Sequence, residues 1–465
     1  MEAALFTNPQ PSDDGGVRTI LGTSEPVPGS PARNRVRQQG ILVVSLVYAV
    51  FLISLPFESA GVLGESREGL ISFTFTKLIG YVLFGVAVLY RNICFRWFPG
   101  SFWLLVWYLF FLLLSFVHIE PAVTVDFRGL IFQRCQMLVV FLIAYNIHRG
   151  HPNPESFYQS FGFAVGSVGV LNRFGYGTVE YMNLEDRVSS FRDDPNTAAA
   201  VLAMGSVCLI WTLFSPGRWP WLKRVVVALM LGPVVLAMLG TGSRGGLVAW
   251  LVALTAMVLV GGRRSGKAIR IILIASVLAV AAATLAIVIV RSYGETRWER
   301  AWFDRDTAER TGIYESGVEL FLQSPMLGHG GYQNFVALGN LMGRAEVDTH
   351  NLLLCILTEV GVIGALPYLI VIGMAIRGTY RAATLRGQLL SWGLLICLLA
   401  VNMSLTWQNR KLHWIVLGVA CATADRDIRR RQKARTGNAF PSTISTTDRT
   451  AGKIREPVGV VAGGS

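Results

Sequence analysis

Charge is what this chain has least of. Only 15% of its 465 residues are charged and 52% are hydrophobic, with a positive mean hydropathy, which excludes an ordinary set of soluble domains. Histidine is scarce as well. His148 and His151 are three apart but lack a nearby third ligand, so they read as a solvated loop pair, and neither metal nor cofactor is expected. Cys94, Cys135, Cys208, Cys355, Cys397 and Cys421 all fall in apolar runs or on the basic side of the chain, leaving none placed for an extracytoplasmic disulfide. Residues 1–39 have Pro, Gly and Ser but no apolar signal-peptide core, and are expected to be a disordered tail.

What the chain does have is long apolar runs. Residues 271–290 carry no charge, and at about 1.5 Å per residue such a run spans a bilayer core of roughly 30 Å. The same reading predicts an all-α, polytopic membrane helical bundle of about twelve spans: 40–56, 70–90, 101–118, 129–146, 156–173, 196–214, 224–240, 244–261, 270–290, 351–376, 388–406 and 411–424. The bundle thus occupies 40–424, followed by a basic, mostly disordered tail at 425–465.

Lys and Arg set the orientation. Segments after even-numbered spans carry Arg91, Arg96, Arg149, Lys223, Arg264 and Arg377, whereas the opposite loops carry Glu58, Glu65, Glu185, Asp193 and Asp194. The positive-inside rule then puts both termini in the cytoplasm. This asymmetry accounts for the net charge of +13, so no nucleic-acid partner is expected.

One long hydrophilic segment, 292–350, lies on the predicted outer side between spans nine and ten. Upstream in the sequence, on the same predicted side, the run Thr241-Gly242-Ser243-Arg244-Gly245-Gly246 opens a helix. Ser243 can cap that helix, Gly245 and Gly246 let a phosphate approach the backbone, and Arg244 adds a guanidinium fork. The same glycines equally suit close helix packing, with Arg244 reaching to the interface. A Gly-x-Ser-x-Gly hydrolase elbow is excluded, because Thr241 stands where glycine is required.

Within the loop, 306–323 reads as an amphipathic helix with Arg310, Tyr314, Gly317 or Val318, and Phe321 on one face. Arg310 there is either ion-paired or turned toward a phosphate. Residues 324–335 then force a tight return, and His329 reads as a loop residue. His350 opens span ten between Asp348 and Asn351, where it suits either a general base or an interface histidine. Glu359 lies deeper in that span, with Arg134 a possible partner.

Ser243-Arg244-Gly245-Gly246, the Arg310 helix leading into Ser-Pro-Met-Leu-Gly-His-Gly-Gly-Tyr-Gln-Asn-Phe, Thr349-His350-Asn351 and Glu359-Val-Gly-Val-Ile-Gly together resemble the bacterial O-antigen ligase and polymerase superfamily. Phe191-Arg192-Asp193-Asp194-Pro195-Asn196 is similar to that family's outer-loop motif, while His329 departs from its usual apolar residue. The resemblance implies an inverting, metal-independent glycosyltransferase in the bacterial inner membrane. It would move a glycan from a polyprenyl-diphosphate donor to an acceptor hydroxyl on the periplasmic face. Carried over, Arg244 and Arg310, with Ser243 and Gly245, hold the diphosphate, and His350 acts as general base or orients the acceptor. Arg192, Asn196, Asn351 and Glu359 are supporting residues.

Two alternatives stay open at this point. A polymerase would use the same donor with a lipid-linked chain as acceptor, in place of a glycolipid. A transporter or flippase would bind the lipid-linked sugar without reacting it, but such folds favour repeated halves and polar residues at the midplane. Here the polar residues gather toward one face instead.

Overall fold

A computed structural model describes residues 31–59, 74–181, 187–191, 193–214, 220–262 and 310–438. The expected ninth span, loop residues 292–309 and Arg192 lie outside these residues. Helix forms along the apolar runs because a segment surrounded by apolar groups must pair its own N–H and C=O groups. In chain order the helices are α1 (Pro31–Ser54), α2 (Phe75–Leu89), α3 (Arg91–Cys94), α4 (Gly100–Leu114), α5 (Thr124–Gly150), α6 (Glu155–Arg173), α7 (Pro195–Phe214), α8 (Pro220–Gly240) and α9 (Arg244–Gly262). After the undescribed stretch come α10 (Arg310–Gln323), α11 (Gln333–Leu341), α12 (Leu352–Arg386), α13 (Leu389–Asn402) and α14 (Lys411–Asn438). A small antiparallel pair, β1 (Thr178–Tyr181) and β2 (Arg187–Ser190), sets Thr178 opposite Ser190.

The fold is therefore helical, as expected. Among the described residues seven helices are long and apolar enough to cross a membrane, and α2 and α13 are shorter apolar helices. Buried side chains form two large clusters that share α14. Ile415, Val416 and Val419 belong to the cluster that includes residues of α1, α6, α7, α8 and α9, while Trp414, Leu417 and Ala420 belong to the one that includes residues of α4, α5 and α12. Small residues allow this closeness, as membrane helix packing requires. A methyl on Gly418 would lie 2.7 Å from the Phe141 carbonyl oxygen, and one on Gly205 would lie 2.3 Å from the Val165 side chain.

Two local expectations change. His148 is not in a solvated loop: it sits in the last turn of α5, buried, with Nε2 3.1 Å from the Thr423 hydroxyl. Helix α14 also continues to Asn438, past the boundary expected at 424. Arg149 approaches Asp425 at 3.7 Å and Arg386 approaches Asp427 at 2.5 Å, which ties that extension to α5 and α12.

These contacts mark one end of the bundle as basic, and Arg96 and Arg149 both lie 4.6 Å from the Trp97 ring there. The opposite end holds the starts of α7, α9, α12 and α14. There Arg410 and Lys411 are each paired with an acid, Asp193 at 3.1 Å and Glu58 respectively.

Candidate active site

The 403–411 segment, which joins α13 to the first residue of α14, organises the acidic-loop end of the bundle. Ser404 abuts α9: a Cβ on Gly245 would fall 2.3 Å from the Ser404 hydroxyl oxygen. Met403 offers its carbonyl to the Tyr314 hydroxyl at 3.1 Å and to the Asn351 amide at 3.5 Å. Thr406 donates to Asp348 at 2.5 Å. Thus three motifs that are remote in sequence meet on one short corner. Sequence reasoning missed it, although the polar run Ser404, Thr406, Gln408 and Asn409 between two apolar stretches was the available signal.

At the α9 start, Ser243 is the N-cap, accepting from the Gly246 N–H at 3.4 Å. Gly242 has φ +63, and Thr241 closes the turn by donating to the Met238 carbonyl at 2.6 Å. Gly245 packs on Ser404, and a Cβ on Gly246 would lie 2.6 Å from that of Ala199, so close packing accounts for both. Arg244 is half-buried at the first position of the helix.

On α10, Ile313, Gly317 and Leu320 are the buried positions. The inner face is therefore turned slightly from the expected one, and Val318 is exposed. The cause is tertiary: Gly317 lies against Leu354 of α12, so the helix docks by its narrowest residue. Arg310 is half-buried, one turn before Tyr314, which also donates to the His350 carbonyl at 3.4 Å.

His350 stands just ahead of α12, and its backbone is left-handed at φ +47. Asp348 explains this, because its carboxylate accepts from the His350 N–H at 3.1 Å, an Asx-type turn. The imidazole Nδ1 lies 3.9 Å from the second Asp348 oxygen, too far for a hydrogen bond, and has no hydrogen-bond partner. Both side chains remain 40% exposed. Asn351 is the N-cap of α12, accepting from the Leu354 N–H at 3.1 Å.

Among the described residues the non-glycine positive-φ positions are Phe191, Tyr332 and His350. Each falls inside one of the singled-out motifs. Such backbone costs on the order of 1–3 kcal/mol and gathers at functional sites.

Asp194 caps α7, accepting from the Asn196 and Thr197 N–H groups at 2.9 and 3.1 Å, with Pro195 in the first helical position. Asn196 is half-buried there. Asp193 binds Arg410, and burial pushes its carboxyl above the usual carboxylate range against the pull of that arginine.

Glu359 does not join His350. It is fully buried, accepting from Tyr108, whose hydroxyl is also 3.2 Å from Gln408 Oε1. Arg134 acts on it electrostatically but hydrogen-bonds Asn409. The 403–411 segment thus also holds the buried polar layer beneath the site. His329 is confirmed as a loop residue, with Nε2 2.8 Å from the Leu320 carbonyl oxygen.

Residues 234–369 match the family model described as O-antigen ligase. This segment belongs to the O-antigen ligase and polymerase superfamily. The O-antigen ligase domain runs from within α8 into α12, so it contains Ser243, Arg244, Arg310, His350 and Glu359. With the apolar helices around it, it indicates a multi-pass membrane enzyme of surface polysaccharide biosynthesis. No curated protein matches the chain.

Proposed function

We propose that the protein transfers a glycan from a polyprenyl-diphosphate donor to an acceptor hydroxyl at the periplasmic face of a bacterial inner membrane. The full reading has about twelve spans, both termini in the cytoplasm and residues 292–350 outside. The observation that carries it is the meeting of the α9 start, α10 and the Asp348–Asn351 turn on Met403, Ser404 and Thr406.

Arg244 and Arg310 hold the donor diphosphate in this reading, with Ser243 and Gly245 shaping the helix start. Two guanidinium groups and a helix N-terminus stabilise charge developing on a leaving diphosphate without a metal ion. His350 takes the proton from the attacking hydroxyl. Nδ1 is buried and the side chain as a whole is 40% exposed, which suits a base that meets its substrate through the rest of the ring. Inversion follows if that hydroxyl attacks opposite the diphosphate. Arg192 and Asn196 position the donor or the neighbouring loop, and Asn351, which caps α12, and Glu359 within it are supporting residues.

The test is release of polyprenyl diphosphate from a lipid-linked oligosaccharide in the presence of acceptor. Expression in a strain lacking its own ligase or polymerase separates the acceptors. Capping of core glycolipid indicates ligation, and a ladder of chain lengths indicates polymerisation.

A further inference from the structure

Helix α12 is broken at Gly361, with φ +62 and ψ −172. The loop between α10 and α11 fills that break. Val362 donates to the Pro325 carbonyl at 2.8 Å and Ile363 to that of Met326 at 3.3 Å, while His329 and Gly330 donate to the carbonyls of Thr358 and Glu359 at 2.8 and 2.9 Å. Helix α10 accordingly runs beside the first turns of α12, with Tyr314 level with His350, Gly317 level with Leu354 and the loop level with Gly361. The described part of the hydrophilic segment, 310–350, does not simply lie across the top of the bundle. It contains a hairpin directed along α12.

Beyond the break, residues 362–386 of α12 extend about 37 Å, enough for the roughly 30 Å apolar core of a bilayer. Val362, Ile363, Leu366, Ile370 and Met374 are exposed along one side of it. Met326 and Leu327, 56% and 52% exposed, sit beside the top of that stripe because their loop is hydrogen-bonded to Val362 and Ile363. The exposed side of α10 changes character in the same direction. Glu315 and Glu319 come first, and then Leu322, 66% exposed, one turn before the loop.

We infer that the tip formed by Leu322, Met326 and Leu327 is inserted among the acyl chains of the membrane, as a continuation of the lipid-facing side of α12. Irregular backbone is tolerated at that depth only when its polar groups are paired, and here the break in α12 supplies the partners. The carboxylates of Glu315 and Glu319 stay at headgroup level, where charge is solvated. The tip thereby moors the helix that begins with Arg310. This inference rests on α12 crossing the bilayer and is independent of the glycosyl-transfer reading.

Nitroxide labels at Leu322→Cys, Met326→Cys, Leu327→Cys and, for comparison, Glu315→Cys test it. The background is Cys135→Ser, since Cys135 is exposed and the other cysteines are buried. In vesicles of phosphatidylethanolamine and phosphatidylglycerol, oxygen is expected to relax the tip labels at least severalfold more than a water-soluble nickel complex, with the opposite order at position 315. Nickel accessibility at 326 and 327 equal to that at 315 overturns the inference. So does dipolar broadening between labels on two copies, which would mean that a second chain covers the tip.

Discussion

Gly361 and Met326 touch through their backbones: a methyl group on Gly361 would lie 2.3 Å from the Met326 carbonyl. No side chain fits there, and φ +62 with ψ −172 is a region that only glycine occupies comfortably. Gly361→Ala should therefore lower the apparent melting temperature in detergent, by the equivalent of about 1–3 kcal/mol for the backbone alone. Gly373→Ala, in the same helix with nothing within 4 Å, is the control and should be neutral or mildly stabilising. Equal melting temperatures for the two variants would contradict the clasp.

The buried layer under the site makes a second prediction. Arg134 is 2% exposed with two nitrogens unpartnered, and Glu359 has one oxygen unpartnered. Removing either charge alone leaves the other uncompensated, which typically costs about 3–5 kcal/mol. Arg134→Gln and Glu359→Gln should each destabilise, and the double variant should be clearly less unstable than the sum. Additive losses in a thermal-unfolding cycle would show that the two charges are not coupled.

The contact between α9 and the corner gives a third. Gly245→Ala pushes a methyl into the Ser404 hydroxyl, a group that can be deleted. Gly245→Ala should reduce transferase activity about tenfold or more, given the sensitivity of rate to sub-ångström misplacement. Adding Ser404→Ala should restore part of it. Gly246→Ala meets Ala199 instead, including its backbone carbon at 3.1 Å, so Ser404→Ala should leave that variant unimproved. Rescue of both, or of neither, would argue against this arrangement.

Much of the helix layout was readable in the sequence because apolar runs report directly on which segments need internal backbone pairing. The ends were less so. Helix α14 outruns its apolar stretch because Asp425 and Asp427 find arginines on other helices, and a hydropathy pattern carries no sign of such partners. At the site, the Ser243 cap and the place of His350 ahead of α12 followed from local rules. The role of 403–411 did not, since Thr406 and Met403 gain their meaning only from Asp348, Asn351 and Tyr314, all more than fifty residues away. Likewise Pro325 to Gly330 read as a tight turn, while its pairing with the break at Gly361 is a tertiary fact.

The most direct test is turnover by the His350→Ala protein beside the wild type, in vesicles holding a lipid-linked oligosaccharide and an acceptor glycolipid. The wild type should release polyprenyl diphosphate only when acceptor is present. His350→Ala should keep its melting temperature and lose about 10²–10⁴-fold in rate, the usual contribution of a positioned general base. Undiminished release by His350→Ala would contradict the account.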